Sequence, residues 1–175
     1  VLKAGGRCGV VMPMGVLFRG SGDGKIRQGL LKDDLLEAVI GLPEYLFAGT
    51  GIPAALLIFN RSKPADRRGR ILFIHAAQEF EPQPKKNLLG RNNINRIVAA
   101  FRAWRDEERF SRVVERPEID ENDGNLNISR YVETLEPEAP IDVNAALVRL
   151  REAEAKRDAA EARVDALLKE IGYGA

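Results

Sequence analysis

The chain has 175 residues, 45% of them hydrophobic, which suits one domain of ordinary size or a compact domain with an appendage and is too short for two full enzyme domains. Its 27 basic and 26 acidic residues leave a net charge of +1, so the overall charge does not identify a polyanionic partner. A single cysteine, Cys8, and a single histidine, His75, exclude an internal disulfide and a four-ligand Cys/His zinc site and favour a cytoplasmic location. No apolar run approaches the ~20 residues that a membrane span requires.

Charge is distributed unevenly along the chain. Residues 1–115 hold 19 basic and 12 acidic residues, 116–142 hold 2 and 8, and 143–175 hold 6 and 6. This distribution predicts a basic globular part, an acidic connector that runs over a surface, and a balanced tail. The sequence opens at Val1 without an initiator methionine and soon reaches a strand-like run, from which we expect a piece of a longer protein.

Hydrophobic patterns in the first half of the chain predict strands around one helix. The unalternating apolar run Val10–Pro13 is typical of an internal strand that is covered on both faces. Helical spacing predicts a helix over 25–34, and residues 35–42 either prolong it or, as their branched side chains favour, form a second strand. Two further strands are predicted over 54–59 and 71–74. Because the loop between them is too short for a crossover helix, we expect an antiparallel hairpin.

Two amphipathic helices are predicted in the second half. Residues 92–104 place their large apolar side chains on one stripe. Asp142 can cap a helix over 143–171, in which apolar residues alternate by four and three along a heptad seam that Arg157 interrupts.

Three polar motifs have simple structural interpretations. Gly20–Gly24 lacks the third glycine of a dinucleotide fingerprint and the Lys-Ser/Thr of a phosphate loop, so we expect a flexible surface loop. Asp120–Asn125 has its glycine at the wrong position for a calcium loop, and turn chemistry explains it, so we expect no metal. We expect His75 to be structural.

Basic side chains near two predicted loops are candidates for DNA phosphate contacts. The start of the first helix would present backbone amides beside two of them, and the loop between the last two strands is strongly basic. For that second loop, a solvated hairpin tip and a phosphate-contacting loop are equally acceptable. The candidates are Lys25, Arg27, Arg61, Lys63, Arg67 and Arg68.

The segment 42–53 links two predicted strands and carries aromatic residues and glycines without a regular period. Bulky apolar residues in such a loop either pack on the body or line a pocket at the edge of the sheet. Composition alone favours packing.

Several motifs in this order resemble the modification (methyltransferase) subunit of type I restriction-modification systems. The resemblance covers almost the whole chain. The matching motifs are Gly5-Gly6-Arg7, Val10–Pro13, Gly15–Phe18, Ile26-Arg27, Leu30-Leu31, Ala38–Pro43, Leu46-Phe47, Gly49–Pro53, Asn122-Asp123, Asn125–Ile128 and Arg130–Val132.

The resemblance implies an α/β fold and a DNA adenine-N6 methyltransferase that uses S-adenosylmethionine and works with specificity and restriction subunits. The expected architecture is the second half of a Rossmann-like methyltransferase sheet with an antiparallel final strand or hairpin, followed by a C-terminal helical, coiled-coil-like segment. The family's cofactor-binding glycine motif and its Asn-Pro-Pro-aromatic motif do not occur in residues 1–175. We therefore expect 1–115 to be the C-terminal part of the catalytic domain, with no catalytic residue, no cofactor binding and no activity when isolated.

The resemblance also implies two kinds of contact. Phe47 matches an aromatic residue that stacks on the flipped target base, with Tyr45 as the competing candidate. The acidic connector 116–142 leads to a helix in 143–175 that would dock on the specificity subunit, although packing on its own body is the simpler alternative. The expected interface residues are Leu150, Ala153, Ala160, Val164, Leu167 and Ile171.

Two alternatives stay open. The chain could be a non-enzymatic helical assembly module with incidental DNA contacts. A truncated sheet can also bury its cut face against a second copy, which would give a homodimer.

Overall fold

A computed structural model describes residues 2–47, 49–134 and 142–173 of the chain. The main sheet contains β1 (Arg7–Pro13), β2 (Leu36–Gly41), β3 (Ala54–Asn60), β4 (Arg70–His75) and β7 (Ser111–Glu115), and a small hairpin contains β5 (Glu81–Pro82) and β6 (Asn87–Leu88). The helices are α1 (Ser21–Lys32), α2 (Arg91–Ala103), α3 (Arg116–Glu121) and α4 (Val143–Glu170).

The main sheet has the strand order β1-β3-β2-β4-β7. β3 runs antiparallel to both of its neighbours, whereas β2 and β4 are parallel. This confirms the α/β sheet with a reversed strand. β2 lies between β3 and β4, so the hairpin predicted from the short 61–69 loop is wrong. The 61–69 loop has to pass over β2, and the distance between the two outer strands is only about 10 Å. A loop of this length spans that distance without a helix.

Among the described residues β1 is an edge strand, so the prediction of an internal strand is wrong for the sheet of this chain. In the described part of the chain it pairs only with β3. Its side chains alternate between exposed and half-buried positions, and Val11 is 49% exposed. An apolar run such as Val10–Pro13 therefore does not distinguish a covered strand from one whose outer edge and faces are open.

Helices and their connecting segments cover both faces of the sheet. On one face, Val39 and Phe73 pack against α1 and against residues 116–132. On the other face, Ile40 and Ile74 pack against α2. Successive residues of each strand face opposite sides, so each of the central strands contributes to both layers.

Residues 116–132 belong to the core, so the prediction of a surface connector starting at residue 116 is wrong for this part. Ile119, Ile128 and Tyr131 are buried, and one compact unit extends from Val1 to Leu135. The acidic residues of the segment are carried on its outer side, while its apolar residues face inward. Residues 135–141 of the predicted connector lie outside the described residues.

Three of the helices match predicted ones, although α1 begins four residues earlier than predicted, and α3 was not predicted. α2 and α4 confirm the predictions for 92–104 and 143–171. Asp142 caps α4, accepting a 3.1 Å hydrogen bond from the amide of Ala145. α1 begins at Ser21, so the loop predicted at Gly20–Gly24 is mostly the first helical turn. Among the described residues, no helix combines the length and apolar character needed to cross a membrane.

Candidate functional site at the carboxyl edge of the sheet

The strands β1, β2 and β4 run in the same direction and end at one edge of the main sheet. We call this the carboxyl edge, marked by Pro13, Gly41 and His75, and the opposite side the amino edge. Open α/β sheets bind their ligands outside the carboxyl ends of their strands. We therefore expect functional side chains at this edge.

The loop of residues 42–53 lies at the carboxyl edge because it joins the end of β2 to the start of β3. Its ends are held by backbone hydrogen bonds from Leu42 to Ala54 (2.8 Å) and from Met14 to Pro53 (3.2 Å). Leu46 packs against the core, as composition favoured for the whole loop. Leu42 and Pro43 are buried as well, whereas Tyr45, Phe47 and Ile52 are exposed.

Both candidate base-contacting aromatics are exposed at this edge. Tyr45 is 55% exposed and Phe47 is 48% exposed. Tyr45 has a left-handed backbone (φ 56°), and its ring lies over Gly51, where a Cβ atom would come within 2.7 Å of a ring carbon. The Tyr45 ring is thus fixed against the loop on one side. Phe47 leaves about half of its surface open to solvent.

A second element, which sequence reasoning missed, holds the loop of residues 42–53 in place. We call this loop the aromatic loop because it carries Tyr45 and Phe47. The amide of Asn87 in β6 donates a 2.8 Å hydrogen bond to the carbonyl of Tyr45, and the Asn87 side chain donates a 2.9 Å hydrogen bond to the carbonyl of Glu44. The β5–β6 hairpin and the loop are therefore joined. The only sequence signal for this element was an asparagine after two lysines. Its hydrogen-bond partners lie about forty residues away in the chain, so the sequence did not indicate the contact.

Arg27 is not available to DNA, which corrects the expectation for this residue. Its guanidinium donates to three carbonyls, those of Gly124 (2.7 Å), Val16 (2.9 Å) and Arg19 (3.0 Å). Burial lowers the pKa of Arg27, and the nearby Asp23 carboxylate opposes that change. The side chain ties α1 to the segment after α3 and has a structural role.

Two residues of the basic loop, which we define as residues 61–69 between β3 and β4, likewise form ion pairs within the protein. The buried Lys63 ammonium lies 2.6 Å from an Asp34 carboxylate oxygen. Arg67 lies 3.1 Å from an oxygen of the fully buried Glu37 and stacks 4.1 Å from the centre of the Trp104 ring. Their expected role as phosphate contacts is corrected, because their charges are paired with the half-buried Asp34 and the fully buried Glu37.

The remaining basic candidates are exposed, but they are not gathered at one place. Lys25 lies on α1, whereas Arg61 and Arg68 flank the loop at the amino edge. β3 separates that loop from the aromatic loop, and its seven residues span roughly 20 Å. The structure therefore does not bring Arg61 and Arg68 together with Phe47.

His75 ends β4 and is half-buried. Its amide donates a 2.7 Å hydrogen bond to Phe110, and burial lowers the pKa of its imidazole. Within the described ranges, no group of three or more His, Cys, Asp and Glu side chains is arranged to hold a metal ion.

The expected docking helix belongs to a second unit, Glu136–Ala175. Described by itself, α4 leaves its seam exposed, with Leu150 at 53%, Val164 at 54% and Ile171 at 72%. The seam alanines Ala153 and Ala160 are exposed as well.

Comparisons with known proteins agree with this architecture. The family model described as N-6 DNA Methylase matches residues 1–139. Among curated relatives, the type I restriction enzyme MjaVII methylase subunit of Methanocaldococcus jannaschii is 44% identical over 86% of this chain and 26% of its own length. The MpnII methylase subunit of Mycoplasma pneumoniae is 32% identical over 82% of this chain and 26% of its own length.

Solved structures show the same fold. The methyltransferase subunit of a type I restriction-modification system from Streptococcus thermophilus superposes with a TM-score of 0.70 at 37% identity, covering 74% of this chain and 27% of that chain. The type I restriction enzyme EcoKI M protein superposes with a TM-score of 0.60 at 21% identity, covering 98% and 42%. The chain spans about a quarter of the length of the curated relatives it matches. With the family model covering most of its length, this chain belongs to the N-6 DNA methylase family.

Proposed function

We propose that this chain is the C-terminal portion of a DNA adenine-N6 methyltransferase subunit of a type I restriction-modification system. The full-length subunit would transfer a methyl group from S-adenosylmethionine to the exocyclic amine of adenine in the cytoplasm. The observation that carries the proposal is the pair of exposed aromatics, Tyr45 and Phe47, at the carboxyl edge of a sheet of this family.

Phe47 would stack on the target adenine. An enzyme that modifies the adenine amine has to take the base out of the duplex, at a cost of a few kcal/mol. Stacking on an aromatic ring returns roughly 1–3 kcal/mol per base. The 48% exposure of Phe47 leaves ring surface for this contact, whereas the Tyr45 ring is backed by Gly51 and would form a wall beside the base.

The residues present here do not fit the methyl donor. A nucleotide-type donor requires a glycine loop between a strand end and a helix start. Gly15 lies in a short 3-10 turn directly after β1, where the Arg19 side chain packs against it. The next glycines lie in or beside the first turn of α1, and Arg27 already occupies the carbonyls of Val16 and Arg19. We therefore assign the donor site to the part of the full-length protein outside this chain and derive no step through it.

The open edge of β1 supports a sheet that continues in the rest of the protein. One face beside β1 carries an apolar cavity of about 220 Å³ next to Val10 and Met12. The other face carries one of about 390 Å³ next to Leu56 and Ile58. A further strand with its own covering helices would fill both. A second copy of this chain pairing through β1 is the competing occupant.

α4 would bind a helical partner, which we identify as the specificity subunit, with the restriction subunit joining the same assembly. The supporting observation is its exposed apolar seam, since a single amphipathic helix gains little stability without a covering surface. The same observation favours the second candidate, a non-enzymatic assembly module. Loss of methylation after a change at Phe47 distinguishes the two.

The experiment uses the full-length subunit assembled with its specificity subunit. Phe47→Leu removes the aromatic face but keeps apolar bulk, and we expect it to lower kcat/KM for methylation of duplex DNA roughly 5- to 100-fold, the equivalent of one stacking interaction. Phe47→Tyr keeps the ring and is the matched control, which we expect to remain near wild type. Equal methylation by the Leu variant, with assembly intact, would contradict the proposed role.

A further inference from the structure

The tip of the β5–β6 hairpin carries two adjacent cations, Lys85 and Lys86, that no predicted site includes. Both side chains are exposed. Within the described residues, neither ammonium group forms an ion pair or a hydrogen bond. They differ in this respect from Lys63 and Arg67, whose charges are committed to Asp34 and Glu37.

The hairpin is tied to the aromatic loop by its next residue. Asn87 follows Lys86 directly and makes the two hydrogen bonds, 2.8 and 2.9 Å, to the carbonyls of Tyr45 and Glu44. One peptide step of about 3.8 Å between Cα atoms therefore separates Lys86 from a residue bonded to the aromatic loop. A base that binds there remains attached to its own backbone phosphates, which must lie close to this edge.

The surrounding charge is basic. Residues 82–105 contain six basic residues and no acidic residue. One of the six, Arg91, is exposed at the start of α2, directly after the hairpin. Three acids lie beside this segment. Glu79 is paired with Arg96 at 3.0 Å, and the Glu81 carboxylate lies against the amino end of α2 at Gly90, where helix N–H groups favour a negative charge. Glu44 lies in the aromatic loop.

We propose that Lys85 and Lys86 contact the DNA phosphates beside the target adenine, so that the hairpin and the aromatic loop act as one DNA-binding surface. This inference rests on the proposed function and deepens it. It moves the phosphate contacts from the 61–69 loop to the carboxyl edge. Lysine is suited to this role because its flexible chain carries a point charge that follows the backbone without reading sequence.

The test compares equal losses of charge at opposite edges of the sheet. In the full-length subunit assembled with its specificity subunit, Lys85→Gln/Lys86→Gln is compared with Arg61→Gln/Arg68→Gln. Binding to a short duplex that contains the target sequence is measured as a function of salt concentration. We expect the lysine pair to raise Kd about tenfold or more near 0.1 M salt and to reduce the slope of log K against log salt by about 1 to 2, because fewer counterions are released. The arginine pair should stay within about twofold of wild type.

Two additional variants keep the result interpretable. Lys85→Arg/Lys86→Arg should retain the wild-type slope, and Lys85→Glu/Lys86→Glu should weaken binding more than the Gln pair, with melting temperatures unchanged in all cases. The ratio of target to non-target affinity should not change, since phosphate contacts carry no sequence information. A Gln pair that binds with the wild-type Kd and slope would overturn this inference. A wild-type assembly that neither binds nor methylates the target would instead overturn the proposed function.

Discussion

The Nε atom of Arg27 donates a 2.7 Å hydrogen bond to the carbonyl oxygen of Gly124, a residue 97 positions further along the chain. Two further hydrogen bonds from the same guanidinium reach Val16 and Arg19. One buried cation thus joins the connection between β1 and α1, α1 itself and the segment after α3, which helps to hold this segment on the body of the domain.

Arg27→Gln should lower the free energy of unfolding by about 3 kcal/mol, because it leaves buried carbonyls without a charged donor. Chemical denaturation of the chain measures the change. Lys25→Gln, in the same helix but exposed, is the control and should shift stability by less than about 0.5 kcal/mol. Equal effects of the two variants would contradict the structural role of Arg27.

Glu37→Gln should destabilise the chain by roughly 3 kcal/mol. The Glu37 carboxylate is fully buried and contacts the exposed Arg7 (3.3 Å), the largely buried Arg67 (3.1 Å) and the Asn60 amide (3.1 Å), so its loss leaves Arg67 without its counter-charge. Glu115→Gln, which breaks an exposed 2.9 Å pair, should cost less than about 1 kcal/mol. Thermal denaturation of both variants provides the comparison, and a mild effect at Glu37 would show that the buried pair is dispensable.

The Tyr131 phenol should make stability sensitive to alkaline pH. Burial, together with the nearby Glu118 carboxylate, raises its pKa to about 12, and its hydroxyl donates to the carbonyl of Asn125. Folding therefore favours the neutral phenol, and its contribution is complete below about pH 10 and is lost as the pH rises through 12.

The stability difference between wild type and Tyr131→Phe isolates this group. It should be about 1 kcal/mol in favour of wild type at pH 9 and should decrease steadily as the pH rises above about 10. A difference that does not vary with pH would show that the pKa of the Tyr131 hydroxyl is the same in the folded and unfolded states.

The seam of α4 should be required for assembly. Leu150→Asp/Val164→Asp in the full-length subunit should abolish co-purification with the specificity subunit, because two charges would be buried at an apolar interface. Val148→Asp/Ala162→Asp is the control on the opposite side of the heptad, and Val148 is as exposed as Val164, at 54%. Retained binding by the seam variant, or loss in both variants, would refute the docking surface.

Local patterns predicted β1 to β4 and the helices α1, α2 and α4, but they missed β7, α3 and the β5–β6 hairpin. The stripe in α2 and the branched residues of β2 reflect burial that each segment specifies by itself. Strand order depends on contacts between distant segments, and the 61–69 loop permits either a hairpin or a passage over β2. The edge position of β1 was missed for the same reason.

Side-chain roles were the least predictable part of the site. Arg27 and Lys63 look like surface cations in the sequence, because their carbonyl and carboxylate partners lie far away in the chain. The exposed loop aromatics Tyr45 and Phe47 were found through a family resemblance, and their link to Asn87 became visible only in three dimensions.

Identification of the methylated product tests the central claim most directly. The full-length subunit, assembled with its specificity subunit, is incubated with duplex DNA and labelled S-adenosylmethionine, and the DNA is digested to nucleosides and separated. We predict that the label appears in N6-methyldeoxyadenosine and falls strongly with Phe47→Leu. Label in a methylated cytosine, or no transfer by an assembled wild-type enzyme, would contradict the account.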